Sequence, residues 1–257
     1  MRVAIVTVAG LSSRFNEGLP EHKRHLKCIY TSDAKEETLL NHLLQKLSYA
    51  DRIIVVGGYR YDALKFYMEQ VVCPRLRDKV LLVRNEHYSD LSSGYSLYLA
   101  LERAFVLHSD IKDILFAEGD LEIDQDSLDC VINSKDNVAT YSRDPIDAKK
   151  SVVLYQDTGK RLKYVFNRLH GAISIDEPFL RAFNSGQVWK FNRMDILKRA
   201  NEIFIESYRE ETNLAIVREY FNAIPVSEVE ILGFKRWINC NTRQDYEFIR
   251  KLWEDAK

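Results

Sequence analysis

The stretch VAIVTVAGLSSRF at residues 3–15 decides how the rest of the chain is interpreted. Its opening VAIVTV is mostly apolar and β-branched, a pattern typical of a strand buried on both faces. The run then breaks into small and hydroxyl-bearing residues and ends in Arg14 and Phe15. Small residues let backbone N–H groups approach a phosphate or a base closely, and an arginine neutralises phosphate charge. The stretch therefore predicts a strand that ends in a ligand-binding loop.

The spacing of the loop excludes two common nucleotide-binding patterns. The stretch does not match G-x-G-x-x-G, which is typical of dinucleotide-binding folds, or G-x-x-x-x-G-K-[ST], the P-loop pattern. An ordinary strand-to-loop turn that carries a surface arginine remains the alternative when the stretch is considered alone.

Length and composition limit the class of protein. A chain of 257 residues is long enough for one α/β domain with a sizeable core. Its net charge of −1 gives no support for a nucleic-acid surface or a polybasic membrane patch. No apolar run has the length of a membrane-spanning helix, and the N-terminal run is too short for a signal peptide. The four scattered cysteines favour free thiols over zinc or disulfides. We expect a cytoplasmic protein, monomeric or homodimeric, that binds no nucleic acid and does not insert into a membrane.

Strand and helix patterns alternate through the first half of the chain. Apolar runs predict strands at residues 3–8, 53–59, 80–83 and 113–120, and helical spacing predicts helices at 38–47, 62–71 and 93–105. This order implies right-handed crossovers and a parallel sheet. After residue 126, short strands are predicted near residues 138–142, 151–155, 162–166, 170–175, 187–191 and 226–231, with helices at 194–208 and 212–220. The second half therefore predicts a mixed sheet.

The loop at residues 9–15 resembles the signature of sugar-phosphate nucleotidyltransferases, an apolar strand followed by A-G-x-[GS]-[ST]-R-[FLM]. The residues that fit this pattern in place are Ala9, Gly10, Ser12, Ser13, Arg14 and Phe15. Residues 85–97 resemble the N-x-x-Y…N-x-x-S-L element of the phosphocholine cytidylyltransferase branch, with Ser93 in place of its asparagine. The resemblance extends over nearly the whole chain, from Val3 to Leu252.

The resemblance implies a three-layer, glycosyltransferase-A-like (Rossmann-like) α/β fold with a mixed, mostly parallel sheet and helices on both faces. It implies one nucleotidyltransferase domain, residues 1–257, in which residues 1–125 bind the nucleotide and residues 126–257 bind the acceptor. The implied reaction joins CTP to a small phosphorylated or phosphonylated acceptor and releases pyrophosphate, with Mg²⁺ as cofactor. Acceptors of this kind include phosphocholine, phosphonates and, in capsule pathways, phosphoglutamine, so we expect a role in surface polysaccharide or lipid modification.

The resemblance also implies roles for individual residues. Arg14, Lys27 and Asp120 would be catalytic. Lys27 matches a K-x-[LI] element whose preceding proline is replaced here by Leu26, and Lys23 and Arg24 are alternatives for its role. The residues implied to bind the nucleotide are Val8, Ala9, Gly10, Leu11, Ser12, Ser13, Ser93, Ser96 and Glu118.

The implied metal site combines one carboxylate and one amide. Asp120 follows a predicted strand, as the family's metal-binding aspartate does. Asn241 stands where the closing element W-x-[DE]-[IV]-D-[ST]-x-x-D-[LY] has its second metal-binding aspartate. An asparagine oxygen can coordinate Mg²⁺ but does not offset its charge. Three interpretations are open: weaker metal binding, transfer of the ligand role to Asp245 or Glu122, and loss of catalysis.

The sequence indicates fewer residues for binding the acceptor than for binding the nucleotide. Arg168 and Trp189 are the predicted acceptor-binding residues, with Arg143 and Lys163 as alternatives to Arg168. Two other functions remain open from the sequence: uridylyl, guanylyl or glycosyl transfer on the same fold, and nucleotide binding without catalysis.

Overall fold

The computed structural model describes residues 1–107, 110–147, 151–166 and 172–255. Four parallel strands form the first half of its main sheet, in the spatial order β3-β2-β1-β4. They are β1 (Arg2–Val8), β2 (Arg52–Gly57), β3 (Val80–Arg84) and β4 (Asp113–Glu118). In the register, Thr7 on β1 lies beside Glu118 on β4. The loop after β1 and the residues after β4 therefore leave the sheet side by side at one edge.

The second half of the chain extends this sheet through a long reversed strand. The strands are β6 (Asn137–Ser142), β7 (Val153–Asp157), β8 (Leu162–Val165), β9 (Phe179–Phe191) and β10 (Val229–Phe234). β9 lies antiparallel between β4 and β6, and it also pairs with the β7–β8 hairpin. A separate pair joins β5 (Leu121–Ile123) to β11 (Trp237–Asn239). The predicted mixed, mostly parallel sheet is confirmed.

Two short strand predictions in the second half are wrong. Residues 172–175 form no strand, and His170 lies outside the described residues. The strand predicted at 226–231 begins only at Val229, because Pro225 precedes a 3₁₀ turn at Val226–Glu228. A proline cannot donate to a strand ladder, so pairing starts beyond it.

Helices cover both faces of the sheet. On one face the core contains apolar residues of α1 (Leu39–Lys46), α2 (Tyr61–Gln70) and α5 (Gln125–Asn133), and α3 (Pro74–Arg77) contributes Leu76. The other face is covered by α4 (Ser93–Leu107), α6 (Met194–Ser207) and α7 (Leu214–Ala223). The last helix, α8 (Arg243–Asp255), packs in a smaller core with Phe15 and Leu39. Among the described residues, no helix is long and apolar enough to cross a membrane.

Trp189 belongs to the core of the second face, which corrects its predicted role in acceptor binding. The side chain on β9 is fully buried. Its ring stacks on Phe116 with 5.2 Å between ring centroids, and its Nε1 donates a hydrogen bond of 2.8 Å to the Tyr164 hydroxyl. A side chain with no exposed surface and a satisfied N–H cannot contact a bound acceptor in this arrangement.

Candidate active site

A cavity of about 240 Å³ opens at the sheet edge where β1 and β4 end. It is lined by four chain segments: the end of β1 with its loop, residues 26–28, residues 85–96 and residues 118–120. The predicted site residues that line it are Val8, Ala9, Gly10, Ser12, Lys27, Ser93, Ser96, Glu118 and Asp120. Three other predicted residues of the loop, Leu11, Ser13 and Arg14, are exposed and do not line it.

The loop after β1 is held in a strained conformation by a buried asparagine. Ser12 has a φ of 55°, in the left-handed region that a residue with a Cβ adopts at some cost. Asn16 is buried, and its Nδ2 donates to the backbone oxygens of Ser12 at 3.0 Å and His25 at 2.8 Å. The Lys27 N–H donates to Ser12 Oγ at 3.2 Å. These bonds tie the loop to the segment that carries Lys27. The sequence analysis missed Asn16, because an asparagine in a polar loop has no distinctive pattern.

An ion pair joins two walls of the cavity. Lys27 Nζ lies 2.8 Å from Asp120 Oδ2, and the two side chains are only 15% and 24% exposed. The Cys240 N–H donates to the Asp120 backbone oxygen at 2.8 Å, which fixes the turn after β4. Gly119 is required in this turn, since a Cβ there would lie 2.2 Å from Val8 Cγ1. Two of the three predicted catalytic residues, Lys27 and Asp120, are therefore brought together, although 93 positions separate them in the chain.

Glu118 is held beside this pair in an environment that opposes its charge. Burial and, to a smaller extent, the nearby Asp120 carboxylate raise the pKa of Glu118 to about 7. Asn213 Nδ2 donates a hydrogen bond of 2.7 Å to Glu118 Oε1 and partly offsets the rise. A large share of the molecules therefore carry an uncharged Glu118 at neutral pH. Asn213, which comes from α7's N-cap position, is another residue that the sequence analysis missed.

Hydroxyl and amide groups line the other end of the cavity. Asn85 is buried, and its Nδ2 donates to Ser96 Oγ at 2.9 Å while its Oδ1 accepts the His87 N–H at 2.8 Å. Ser93 Oγ accepts the Asn213 N–H at 3.3 Å. These groups form a fixed, uncharged polar wall, which suits hydrogen bonding to a base more than binding of a phosphate.

A metal at this site would depend on Asp120. Asp120 Oδ1 is buried and accepts no hydrogen bond in the described part of the chain. Across the described ranges, no three His, Cys, Asp or Glu side chains form a group that could hold a metal. Mg²⁺ is commonly held by one or two carboxylates together with water and substrate phosphates. The single free carboxylate oxygen therefore fits a magnesium ion that arrives with a nucleotide, and does not fit a resident metal.

The predicted second metal ligand, Asn241, does not line this cavity, and neither do the alternatives Asp245 and Glu122. Asn241 lines a second cavity, and its N–H donates to Asp245 Oδ2 at 2.9 Å. Asp245 also accepts the Thr242 N–H and caps α8, as a capping box predicts. Glu122 is buried, and its Oε1 pairs with Lys46 Nζ at 2.8 Å. Asp245 and Glu122 are thus engaged elsewhere, and Asn241 is not brought into the wall that Asp120 lines.

The second cavity adjoins Cys240, because the residues on either side of it, Asn239 and Asn241, line this cavity. Its volume is about 310 Å³. Amides of Asn184, Gln187, Asn239 and Asn241 line it together with Trp237. Of the predicted acceptor-binding groups, Arg168 lies outside the described residues, and the alternative Lys163 is paired with Glu177 at 2.6 Å.

Comparison with known proteins identifies the family and the fold. A family model for a domain of unknown function, DUF6564, matches residues 23–253 of the chain. The chain belongs to the DUF6564 family. No sequence among curated proteins matches this DUF6564 chain.

Solved structures resemble the DUF6564 chain at low sequence identity. The inositol-1-phosphate CTP transferase from T. maritima is 16% identical, with a TM-score of 0.66 over 98% of this chain and 96% of that one. The CTP:phosphocholine cytidylyltransferase from Streptococcus pneumoniae is 18% identical, with a TM-score of 0.64 over 98% and 100%. HddC from Yersinia pseudotuberculosis, complexed with GMP-PN, is 15% identical, with a TM-score of 0.61 over 98% and 100%. The DUF6564 chain therefore has the glycosyltransferase-A-like fold of nucleotidyltransferases, as predicted.

Proposed function

We propose that this protein is a Mg²⁺-dependent cytidylyltransferase. It would join CTP to a small phosphorylated or phosphonylated acceptor and release pyrophosphate. The observation that carries the proposal is the ion pair of Lys27 and Asp120 in the cavity that the loop after β1 forms. This cavity combines a cation for phosphate, a carboxylate with a free oxygen for a metal, and close backbone approach at Gly10. The choice of CTP draws on the two structurally similar CTP-dependent enzymes.

In the proposed reaction, an oxygen of the acceptor's phosphate or phosphonate attacks the α-phosphorus of CTP, and the bond to the β-phosphate breaks. Lys27 and Arg14 would neutralise the charge that develops on the phosphates and on the leaving pyrophosphate. Asp120 would hold Mg²⁺, which supplies further charge neutralisation when bound. No general base is needed, because an ionised phosphate is already a competent nucleophile. Catalysis would then consist of positioning and electrostatic stabilisation.

The division of the chain supports separate places for the two substrates. The residues that line the first cavity lie between positions 7 and 120, and those that line the second lie between 144 and 241. We propose that residues 1–125 bind the nucleotide and residues 126–257 bind the acceptor in the second cavity. The hydrogen bond between Cys240 and Asp120 joins the walls of the two cavities, so an acceptor phosphate would lie near the metal site.

The decisive test is pyrophosphate release with Mg²⁺, each of the four NTPs and a panel of acceptors. The panel contains phosphocholine, 2-aminoethylphosphonate, sugar 1-phosphates and phosphoglutamine. We expect turnover with CTP and one acceptor. Turnover with UTP or GTP, or transfer of a glycosyl group, would establish another reaction on the same fold.

Asn241 favours one alternative, a protein that binds nucleotide without transferring it. Asn241 lines the second cavity and not the wall that Asp120 lines, so Asp120 gains no second metal ligand from this position. This alternative predicts that CTP raises the melting temperature equally with and without Mg²⁺, and that no acceptor yields pyrophosphate. A Mg²⁺-dependent rise in melting temperature would contradict it.

Replacing Lys27 with methionine should tighten the binding of a divalent cation in the absence of nucleotide. In the structure the ammonium group occupies Asp120 Oδ2, and a second cation must compete with it. Removal of a unit charge at this distance is expected to tighten Mn²⁺ binding about tenfold. Titration of Mn²⁺ by electron paramagnetic resonance measures this change. Lys23→Met is the matched control, since Lys23 is exposed and has no ion pair among the described residues. Equal Mn²⁺ affinity in both variants would contradict the competition.

A further inference from the structure

Arg243 is positioned beside the loop at residues 9–15 by two aromatic rings. It is the first residue of α8, and its guanidinium carbon lies 5.3 Å from the ring centroid of Phe15 and 4.6 Å from that of Tyr30. Its Nη1 donates a hydrogen bond of 3.0 Å to the Tyr30 hydroxyl. Stacking on aromatic faces holds a guanidinium in one orientation at little further entropic cost.

The charge of Arg243 is not neutralised within the described part of the chain. Arg243 forms no ion pair there, and its Nε is buried without an acceptor. A positive charge at the N-terminus of a helix is also opposed by the helix dipole. Arg250, on the same helix, pairs instead with Glu247 at 3.0 Å and also contacts Glu254. A half-buried, unpaired cation in an unfavourable field is costly for the fold alone, and an anionic ligand would remove that cost.

Arg243 does not itself line the first cavity, but it lies next to chain segments that adjoin the cavity. Phe15, on which it stacks, directly follows Arg14 at the end of the loop. Tyr30 directly follows the 3₁₀ turn at Lys27–Ile29. Cys240, whose N–H holds Asp120 in place, precedes it by three positions. Arg243 therefore lies where the loop after β1, the Lys27 segment and the Asp120 turn meet.

Other cations lie near Arg243. Burial lowers the pKa of His25, and the charges of Arg243 and Arg60 lower it further. Arg14 is exposed and has no ion pair among the described residues. A phosphate chain placed here would meet Arg243 and Arg14, neither of which has an ion pair in the described part of the chain.

We propose that Arg243 binds the β- and γ-phosphates of the nucleoside triphosphate, and afterwards the pyrophosphate product. This inference rests on the proposed nucleotidyltransfer. The planar guanidinium fork can bind two phosphate oxygens at once, and its clamp between Phe15 and Tyr30 orients it before the ligand arrives. Arg243 falls at one of the three variable positions of the C-terminal motif, so the motif assigns it no role.

The test compares Arg243→Gln with Arg250→Gln as the matched control on the same helix. Binding of CTP, CMP and inorganic pyrophosphate is measured by isothermal titration calorimetry with Mg²⁺ present. We expect Arg243→Gln to weaken CTP and pyrophosphate binding about 10- to 100-fold, as the loss of charge-assisted hydrogen bonds predicts, and to change CMP affinity less than about twofold. Arg250→Gln should leave all three affinities unchanged.

Equal weakening of CTP and CMP by Arg243→Gln would overturn the inference, because it indicates that Arg243 only supports the fold. If the Arg243→Gln variant does not fold, the Arg243→Lys variant is used to test the inference. The lysine keeps the charge but loses the fork, so it should weaken CTP binding selectively. Unchanged CTP and CMP affinities in that variant would also overturn the inference.

If the wild-type protein binds neither CTP nor CMP, the proposed function fails, and the pyrophosphate titration then tests Arg243 by itself. Absence of pyrophosphate binding by the wild type overturns the inference.

Discussion

Replacing Asp120 with asparagine is expected to reduce pyrophosphate release at least about 1,000-fold. The substitution keeps the size of the side chain and removes the one carboxylate in the cavity that has a free, buried oxygen. It also leaves the Lys27 ammonium without its partner at 2.8 Å. Metal binding and the placement of Lys27 should therefore fail together. Steady-state kinetics with CTP and the acceptor found in the panel measure the loss.

The matched control for this prediction is Asp126→Asn, an exposed carboxylate on α5 that pairs only with Lys235 on the surface. It should keep the wild-type rate. Binding of CTP in the presence of EDTA should persist in Asp120→Asn, since the loop and the polar wall at Ser96 are unchanged. If Asp120→Asn keeps more than about a tenth of the wild-type rate, a loss of less than 1.4 kcal/mol, Asp120 is not the catalytic carboxylate.

Replacing Trp189 with alanine is expected to lower the free energy of unfolding by about 3–5 kcal/mol. The side chain is fully buried on β9, stacks on Phe116 and donates to Tyr164, so its removal leaves a large cavity and an unsatisfied hydroxyl. Urea denaturation followed by far-UV circular dichroism measures the change. At a temperature where the variant is folded, its KM for the acceptor should equal that of the wild type.

Trp189→Phe provides the control for this prediction. It keeps most of the packing and loses the hydrogen bond to Tyr164, so a loss of only about 1–2 kcal/mol is expected. The sequence pattern suggested instead that Trp189 contacts the acceptor. That earlier interpretation would be restored if both variants raised the acceptor KM at least tenfold with little loss of stability.

The charged groups at the candidate site are only partly neutralised in the absence of ligand. Lys27 neutralises Asp120 in the absence of ligand, whereas Arg14 and Arg243 have no ion pair in the described part of the chain. Arg14 and Arg243 do not line the cavity, and they add unpaired positive charge beside it for an incoming phosphate chain. A triphosphate would neutralise the two arginines, and its metal ion would bind Asp120. This is the physical reason why CTP is expected to bind more tightly than CMP.

Some residues of the candidate site can be predicted from the local sequence pattern, and others can be identified only from their contacts in the structure. The loop after β1 is marked by its small residues, and Asp120 by its place after a strand. Asn16, Asn213 and Arg243 have no such mark, because their roles depend on partners elsewhere in the chain. Asn213, for example, contacts Glu118 across 95 positions.

By itself, the sequence determined the alternation of strands and helices, the parallel first half of the sheet and the loop of small residues at 9–15. These features follow from hydrophobic periodicity and from residue size, which act over a few neighbouring positions. Only the tertiary structure decided that β9 runs reversed between β4 and β6, which buries Trp189. It alone also decided that Lys27 meets Asp120 and that Arg243 reaches Phe15. The physical reason is that such contacts depend on the order of strands in the sheet, which is set by the packing of the whole chain and leaves no local pattern.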